Sequence, residues 1–127
     1  MDACAKAGDV VRAKQVFQQM RSCGIRPNVI TYSALARPFA HRGDWVEVES
    51  IAAEMKSEGL AVNEYFLYVL LLAYSTAKAR QPEKAEAAFL EACRQRVEIN
   101  KHVSSVLARA VGRARSQELL QVARAPR

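Results

Sequence analysis

One spacing constrains this chain more than any other. Gly8-Asp9 recurs as Gly43-Asp44, Met20 as Met55, Gly24 as Gly59 and Asn28 as Asn63, each pair 35 residues apart. A period between about 20 and 50 residues marks a repeat array, whose units stack because none can bury a core alone. Such arrays present extended binding surfaces. What the surface binds is therefore the first question, ahead of catalysis.

Each unit reads as a helical hairpin. Val10, Ala13, Val16, Phe17 and Met20 fall at three- and four-residue steps, with Asp9 as N-cap and Gly24 as stop. Met1 to Ala7 reads as the tail of an earlier helix closed by Gly8. Val29 to Arg42 reads as a helix with Tyr32, Leu35, Ala36 and Phe39 inward. Pro38 should kink it by removing a backbone bond. Gly43-Asp44 turns the chain into a partner helix, Trp45 to Glu58, with Val48, Ile51, Ala52 and Met55 inward and Gly59 as stop.

The third unit is longer. Asn63 to Asn100, Glu54 to Glu91 and Val62 to Ile99 all span 37 residues, so two extra residues are expected in Lys78-Ala79-Arg80-Gln81, before Pro82. Ala85, Ala88, Phe89 and Ala92 form the next apolar face, and Arg96 stands where a stop glycine belongs. Val103, Val106, Leu107, Ala110 and Val111 open a fourth unit, and Ser116 is a candidate cap for a short helix through Ala123. No strand pattern appears. The expected fold is all-α, an α-solenoid of stacked antiparallel helix-turn-helix hairpins in one array over 1–127. Its units would be a partial repeat 1–28, full repeats 29–63 and 64–100, and a partial, degenerate repeat 101–127.

Composition narrows the function classes. Half of the 127 residues are apolar, enough for a core. No apolar run approaches the roughly 18–20 residues that span a bilayer, and the longest, Tyr65 to Tyr74, reads as a buried helix. Met1-Asp2-Ala3-Cys4 lacks the pattern of a leader, so any address is expected to have been removed or to lie upstream. The net charge of +6 is uneven: +5 over residues 1–43, −4 over 44–100 and +5 over 101–127. Basic ends suit a polyanion, and solvated helix faces account for them equally well. Cys4, Cys23 and Cys93 are odd in number and widely spaced, so packed, reduced thiols are expected rather than a disulfide framework or zinc site.

The run Lys6-Ala7-Gly8-Asp9, Ala13, Phe17, Met20 and Gly24-Ile25-Arg26-Pro27-Asn28-Val29-Ile30-Thr31-Tyr32-Ser33 resembles a pentatricopeptide repeat protein. The tetratricopeptide repeat, at about 34 residues with a Trp-Leu-Gly-Tyr signature, fits less well. The resemblance covers residues 1 to about 115 and is sharpest in the first two units. It implies a right-handed superhelix that binds single-stranded RNA at about one base per repeat, in a mitochondrion or chloroplast. It also implies that a polar residue of the first helix and the last residue of a unit read each base. Ser33 with Asn63 is the one complete pair here and resembles an adenine reader. Asn28 and Ser105 belong to incomplete pairs, and Tyr68 replaces the small polar reader opposite Asn100. The resemblance places Ile30, Tyr65 and His102 where bases are held between units.

Each residue also has a plainer reading. Asn suits turns. Ser33 could simply face solvent. Tyr65, Phe66, Tyr68 and Tyr74 suit core packing, and Trp45 suits packing between hairpins. Arg37, Arg42, Arg109, Arg113 and Arg115 are candidate phosphate contacts by charge alone. His41 and His102 have no Cys or second His nearby, so no metal is expected. His41 with Asp44 resembles part of a catalytic pair, but no nucleophile turn accompanies it. No phosphate loop, catalytic residue or cofactor is expected. The leading expectation is a non-catalytic RNA-binding module acting in organellar RNA metabolism. The alternative is a structural or protein-interaction subunit of a larger organellar assembly.

Overall fold

The computed structural model describes residues 3–124, with side chains from residue 11 onward. Among these residues the regular structure is entirely helical: α1 (Ala3–Ser22), α2 (Val29–His41), α3 (Trp45–Ser57), α4 (Glu64–Thr76), α5 (Pro82–Arg94), α6 (Lys101–Val111) and α7 (Arg113–Arg124).

Local chemistry sets the ends. Asn28, Asn63 and Asn100 are the N-caps of α2, α4 and α6, and each side-chain oxygen accepts the amide three residues on, at 3.0, 2.9 and 2.9 Å. At Asn28 the bond is reciprocated, since Thr31 Oγ1 accepts the Asn28 amide at 3.3 Å and completes a capping box. Four helix ends close with one paired hydrogen-bond pattern. In α1 the Gly24 amide donates to Arg21 O and the Ile25 amide to Met20 O, and the same pairs recur at Gly43, Gly59 and Arg96. The closing residue must be left-handed. Gly24, Gly43 and Gly59 have φ of 77°, 73° and 80°, and Arg96 takes φ 61° in the glycine's place.

The helices stack as hairpins. α2 packs on α1, α3 and α4, and α4 on α2, α3, α5 and α6. The backbone of α3 stands apart from those of α1 and α5, and only long side chains reach across, Arg21 to Glu54 at 3.4 Å and Lys84 over the Trp45 ring. The first helices therefore form a tight row, α2, α4 and α6, and α3 stands off from its outer neighbours. That spacing puts the tight row on the inside of the solenoid's curve. The core lies between the layers, with Tyr32, Val48, Met55, Phe66, Leu67, Leu71, Phe89, Val103, Leu107 and Leu119 fully or almost fully buried. α4 is central and nearly all apolar, which is why its sequence reads as one continuous run. Trp45 sits between hairpins, 6.2 Å from Tyr74 and under the Lys84 ammonium at 4.8 Å.

Adjacent units also lock through backbone. The Thr76 hydroxyl donates to Ala40 O, joining the ends of α4 and α2. Beside it Gly43 lies so close to Thr76 and Ala77 that a β-carbon would come within 2.6 Å of Thr76 O. The α2–α3 connection is residues 42–44, whereas the α4–α5 connection is residues 77–81.

Two expected boundaries are corrected. α1 runs unbroken through Gly8 and Asp9 rather than dividing there. One interior glycine costs a helix only about 1 kcal/mol, so Gly8 does not by itself end α1. Met1 and Asp2 lie outside the described residues. Ser116 does not cap the last helix. α7 starts at Arg113, after a one-residue break at Gly112 (φ 93°, ψ 156°). Ser116 is buried and donates to Arg113 O at 2.8 Å. Pro38 lies inside α2, and the helix continues past it to His41. Cys93 is packed as expected, but Cys23 is exposed.

Candidate nucleic-acid interface

The repeat sets equivalent positions side by side along the inner row. Two residues after each capping Asn stand Ile30, Tyr65 and His102, and five after stand Ser33, Tyr68 and Ser105. Nine after stand Arg37, Leu72 and Arg109. Ile30 is 65% exposed, Tyr65 is half-buried and His102 is exposed. The rows connect across the helix seams. Arg37 donates to Tyr65 Oη at 3.4 Å, and the Tyr68 and His102 rings lie 6.4 Å apart, edge on at 78°. Arg37, Arg42, Arg109 and Arg113 are all exposed. Arg80, not singled out by charge, donates to Arg109 O at 3.2 Å and brings the α4–α5 connection beside α6.

Charge is sorted by layer. Glu64 is the sole acid on α2, α4 and α6, whereas α3 carries Glu47, Glu49 and Glu54 and α5 carries Glu83, Glu86 and Glu91. The acidic middle of the sequence is thus largely the outer layer of the solenoid. The inner row is left to Arg37, Lys101 and Arg109, so a polyanion meets little repulsion there.

The asparagines serve as helix N-caps rather than simple turn residues. Because each Oδ1 accepts a backbone amide, what remains to offer a ligand is chiefly the amide NH₂ donor.

Two expectations change. Ser33 does not face solvent: it is 0% exposed and donates to Val29 O at 2.7 Å. α2 is covered on both flanks, as buried Ala36 and Ala40 show, and the serine falls within that wider buried arc. Arg115 is committed to Glu86 through two bonds of 2.7 and 2.9 Å, with Glu118 at 3.5 Å. This fork holds the Glu86 carboxyl below its ordinary range and raises the guanidinium further. The pair ties α7 to α5 and leaves Arg115 poorly placed for a phosphate.

Phe66 and Tyr74 are core, as packing predicts, whereas Tyr65 and Tyr68 keep partly open surfaces. Burial, then the bond of 2.6 Å to Glu49, pushes the Tyr74 phenol well above its usual range. Asp44 caps α3 by accepting the Glu47 amide at 3.4 Å. Among the described residues no three His, Cys, Asp or Glu converge as a metal site would require, and no helix is long and apolar enough to cross a membrane.

Capped hairpins around a tight inner row define a helical-repeat protein with an extended inner face. Two models of the PPR repeat match, one over residues 1–41 and one over residues 30–60. Two chloroplastic pentatricopeptide repeat-containing proteins of Arabidopsis thaliana are 34% identical over 89 residues and 32% identical over 94, covering 70% and 73% of this chain. A third from the same plant is 33% identical over 54 residues, 42% of the chain. The chain belongs to the pentatricopeptide repeat family, whose general function is RNA binding. It spans about a tenth of the length of these relatives, at 9%, 11% and 9%.

Proposed function

We propose that this chain binds single-stranded RNA along the inner row of α2, α4 and α6, about one base per unit, without chemistry of its own. The observation that carries this is the layer sorting of charge: one acid on three inner helices, beside exposed Arg37, Arg42, Arg109 and Arg113 as phosphate contacts. Ile30, Tyr65 and His102 repeat along that row as base-holding positions, and Asn28, Asn63 and Asn100 repeat as NH₂ donors. Asn63 with Ser33 reads adenine, Asn63 through its free donor. Ser33 holds its hydroxyl on Val29 O, so Asn63 is the accessible member of the pair. Ser105 is exposed and offers the fourth unit's reader. The chloroplastic relatives support a role in organellar RNA metabolism, in chloroplast or mitochondrion.

Fluorescence anisotropy with adenine-rich and uridine-rich single strands at two salt concentrations tests this reading. Salt-sensitive binding that favours adenine and is lost on combining Ser33→Ala with Asn63→Ala supports it. No binding at either salt sinks it for this chain. One observation favours the second reading, a structural subunit of an organellar assembly. Between α3 and α5 an open groove of about 460 Å³ has Leu67, Leu70 and Tyr74 as its floor and Ala52, Ala53, Ala87 and Ala88 as its walls. Co-purification of a protein partner lost on Ala53→Glu, with no RNA bound, would establish that role.

A further inference from the structure

The third unit departs from the family's reading pattern, and one aromatic ring stands where a small reader is expected. Tyr68 occupies the place that Ser33 and Ser105 hold in their units. It comes from α4, and His102 comes from α6. Their rings meet 6.4 Å apart at 78°, a right-angled corner across the seam between two inner helices. Tyr68 is half-buried and therefore held in place, while His102 is exposed. Ser105, one turn along α6, is also exposed. Tyr65, one turn before Tyr68, is fixed by the Arg37 bond. α6 carries no acid, and Lys101 and Arg109 bracket the corner in sequence.

We propose that the Tyr68–His102 corner is a stacking seat for one nucleobase, holding it by its ring face without reading its edge. This rests on the RNA-binding reading above. Two rings at right angles offer a base one face to stack on and one edge to meet its periphery. Every base has such a face, so the seat accepts all four. The nearby capping residue, Asn100, has its oxygen bound to the Val103 amide and adds a donor alone, too little to select one base from four. Selection in this array belongs to the second unit, and the junction of the third and fourth supplies affinity.

An RNA that binds the chain is prepared with an abasic site stepped one nucleotide at a time, and with each of the four bases at every step. Affinities are read by anisotropy. At one nucleotide the abasic substitution weakens binding about 5- to 150-fold, while exchange among the four bases changes it less than about twofold. His102→Ala and Tyr68→Leu each remove the abasic penalty at that nucleotide alone, and Tyr68→Phe retains it. Leu keeps apolar contacts of the half-buried ring, and the fluorescence of Trp45 with far-ultraviolet circular dichroism verifies folding of each variant. If RNA binds and the abasic profile is the same in His102→Ala and Tyr68→Leu, the seat is overturned and the RNA reading stands. If the abasic-sensitive nucleotide also discriminates bases more than about tenfold, the corner reads an edge and the proposal fails. If no RNA binds the unmodified chain, the RNA reading itself fails and takes the seat with it.

Discussion

Asn63 uses its two side-chain atoms differently: Oδ1 closes the start of α4, and the NH₂ group is left for a ligand. Asn63→Asp separates the roles, because Asp caps about as well as Asn but carries no donor and adds a negative charge. The expected outcome is unchanged helicity by circular dichroism with affinity for adenine-rich RNA reduced about tenfold or more, the equivalent of one hydrogen bond to a base. Unchanged base preference would leave Asn63 as a cap alone. Arg96 is the residue whose type and conformation disagree most plainly. A side chain at φ 61° costs about 1–2 kcal/mol, and three sister positions use glycine. Arg96→Gly is expected to raise stability by about 0.5–1 kcal/mol in urea unfolding, the gain reduced by the greater freedom of glycine in the unfolded chain. Ser33 was legible as a polar residue at a reader position, but not as a buried one. Its burial follows from helices on both flanks of α2, which no local pattern encodes.

At the scale of elements, two glycines with the same local role have different weights. Gly59 closes α3 in open space, whereas Gly43 closes α2 against the backbone of Thr76 and Ala77. Gly59→Ala should cost only the left-handed conformation, about 1–2 kcal/mol. Gly43→Ala pays that and must also push the α4 terminus away, so its urea midpoint is expected to fall clearly below that of Gly59→Ala. Equal midpoints would show that the α2–α4 junction yields freely. The α5–α7 tie has a pH signature. Arg115 lowers the folded-state pKa of Glu86, so its contribution is present above the ordinary carboxylate range and is lost as pH falls through the lowered value. Arg115→Ala should therefore lower stability at neutral pH and flatten the acid side of the profile, so that the variant and the parent converge as pH falls from neutral through the carboxylate range. Urea midpoints across that range check it. The helices, their stops and the insertion before Pro82 were readable because caps, turns and periodicity are local. The start of α7 was not, because Gly112 and Ser116 are equally plausible boundary residues until packing buries Ser116.

The 127 residues given make a short array. Val11 and Val16 on α1 and Val122 on α7 are more than half exposed at its two ends. Terminal repeats without polar caps stabilise poorly. The isolated chain is expected to melt below about 65 °C, the upper part of the usual mesophile range. A cooperative transition well above that would show that the exposed Val11, Val16 and Val122 do not limit the stability of this chain. RNA affinity should fall with salt at a slope of about −0.7 for each phosphate neutralised, and Arg37→Ala or Arg109→Ala should each reduce that slope by about one contact. A slope unaffected by either would move the phosphate path off the inner row.

The sequence by itself determined the period, the hairpins, the recurring asparagines and the family, because each rests on residues within a few positions of one another or on their recurrence at 35. It also placed Ile30, Tyr65 and His102 in register, since a repeat makes one position a row. Only the tertiary structure decided what those rows face. Stacking put the acids of the middle segment largely on α3 and α5, turned Ser33 inward, gave Arg115 to Glu86 and brought Tyr68 against His102. These are contacts between residues about 30 or more apart, or burial produced by a neighbouring helix. Their energies arise only when hairpins pack, so no segment of the chain encodes them alone.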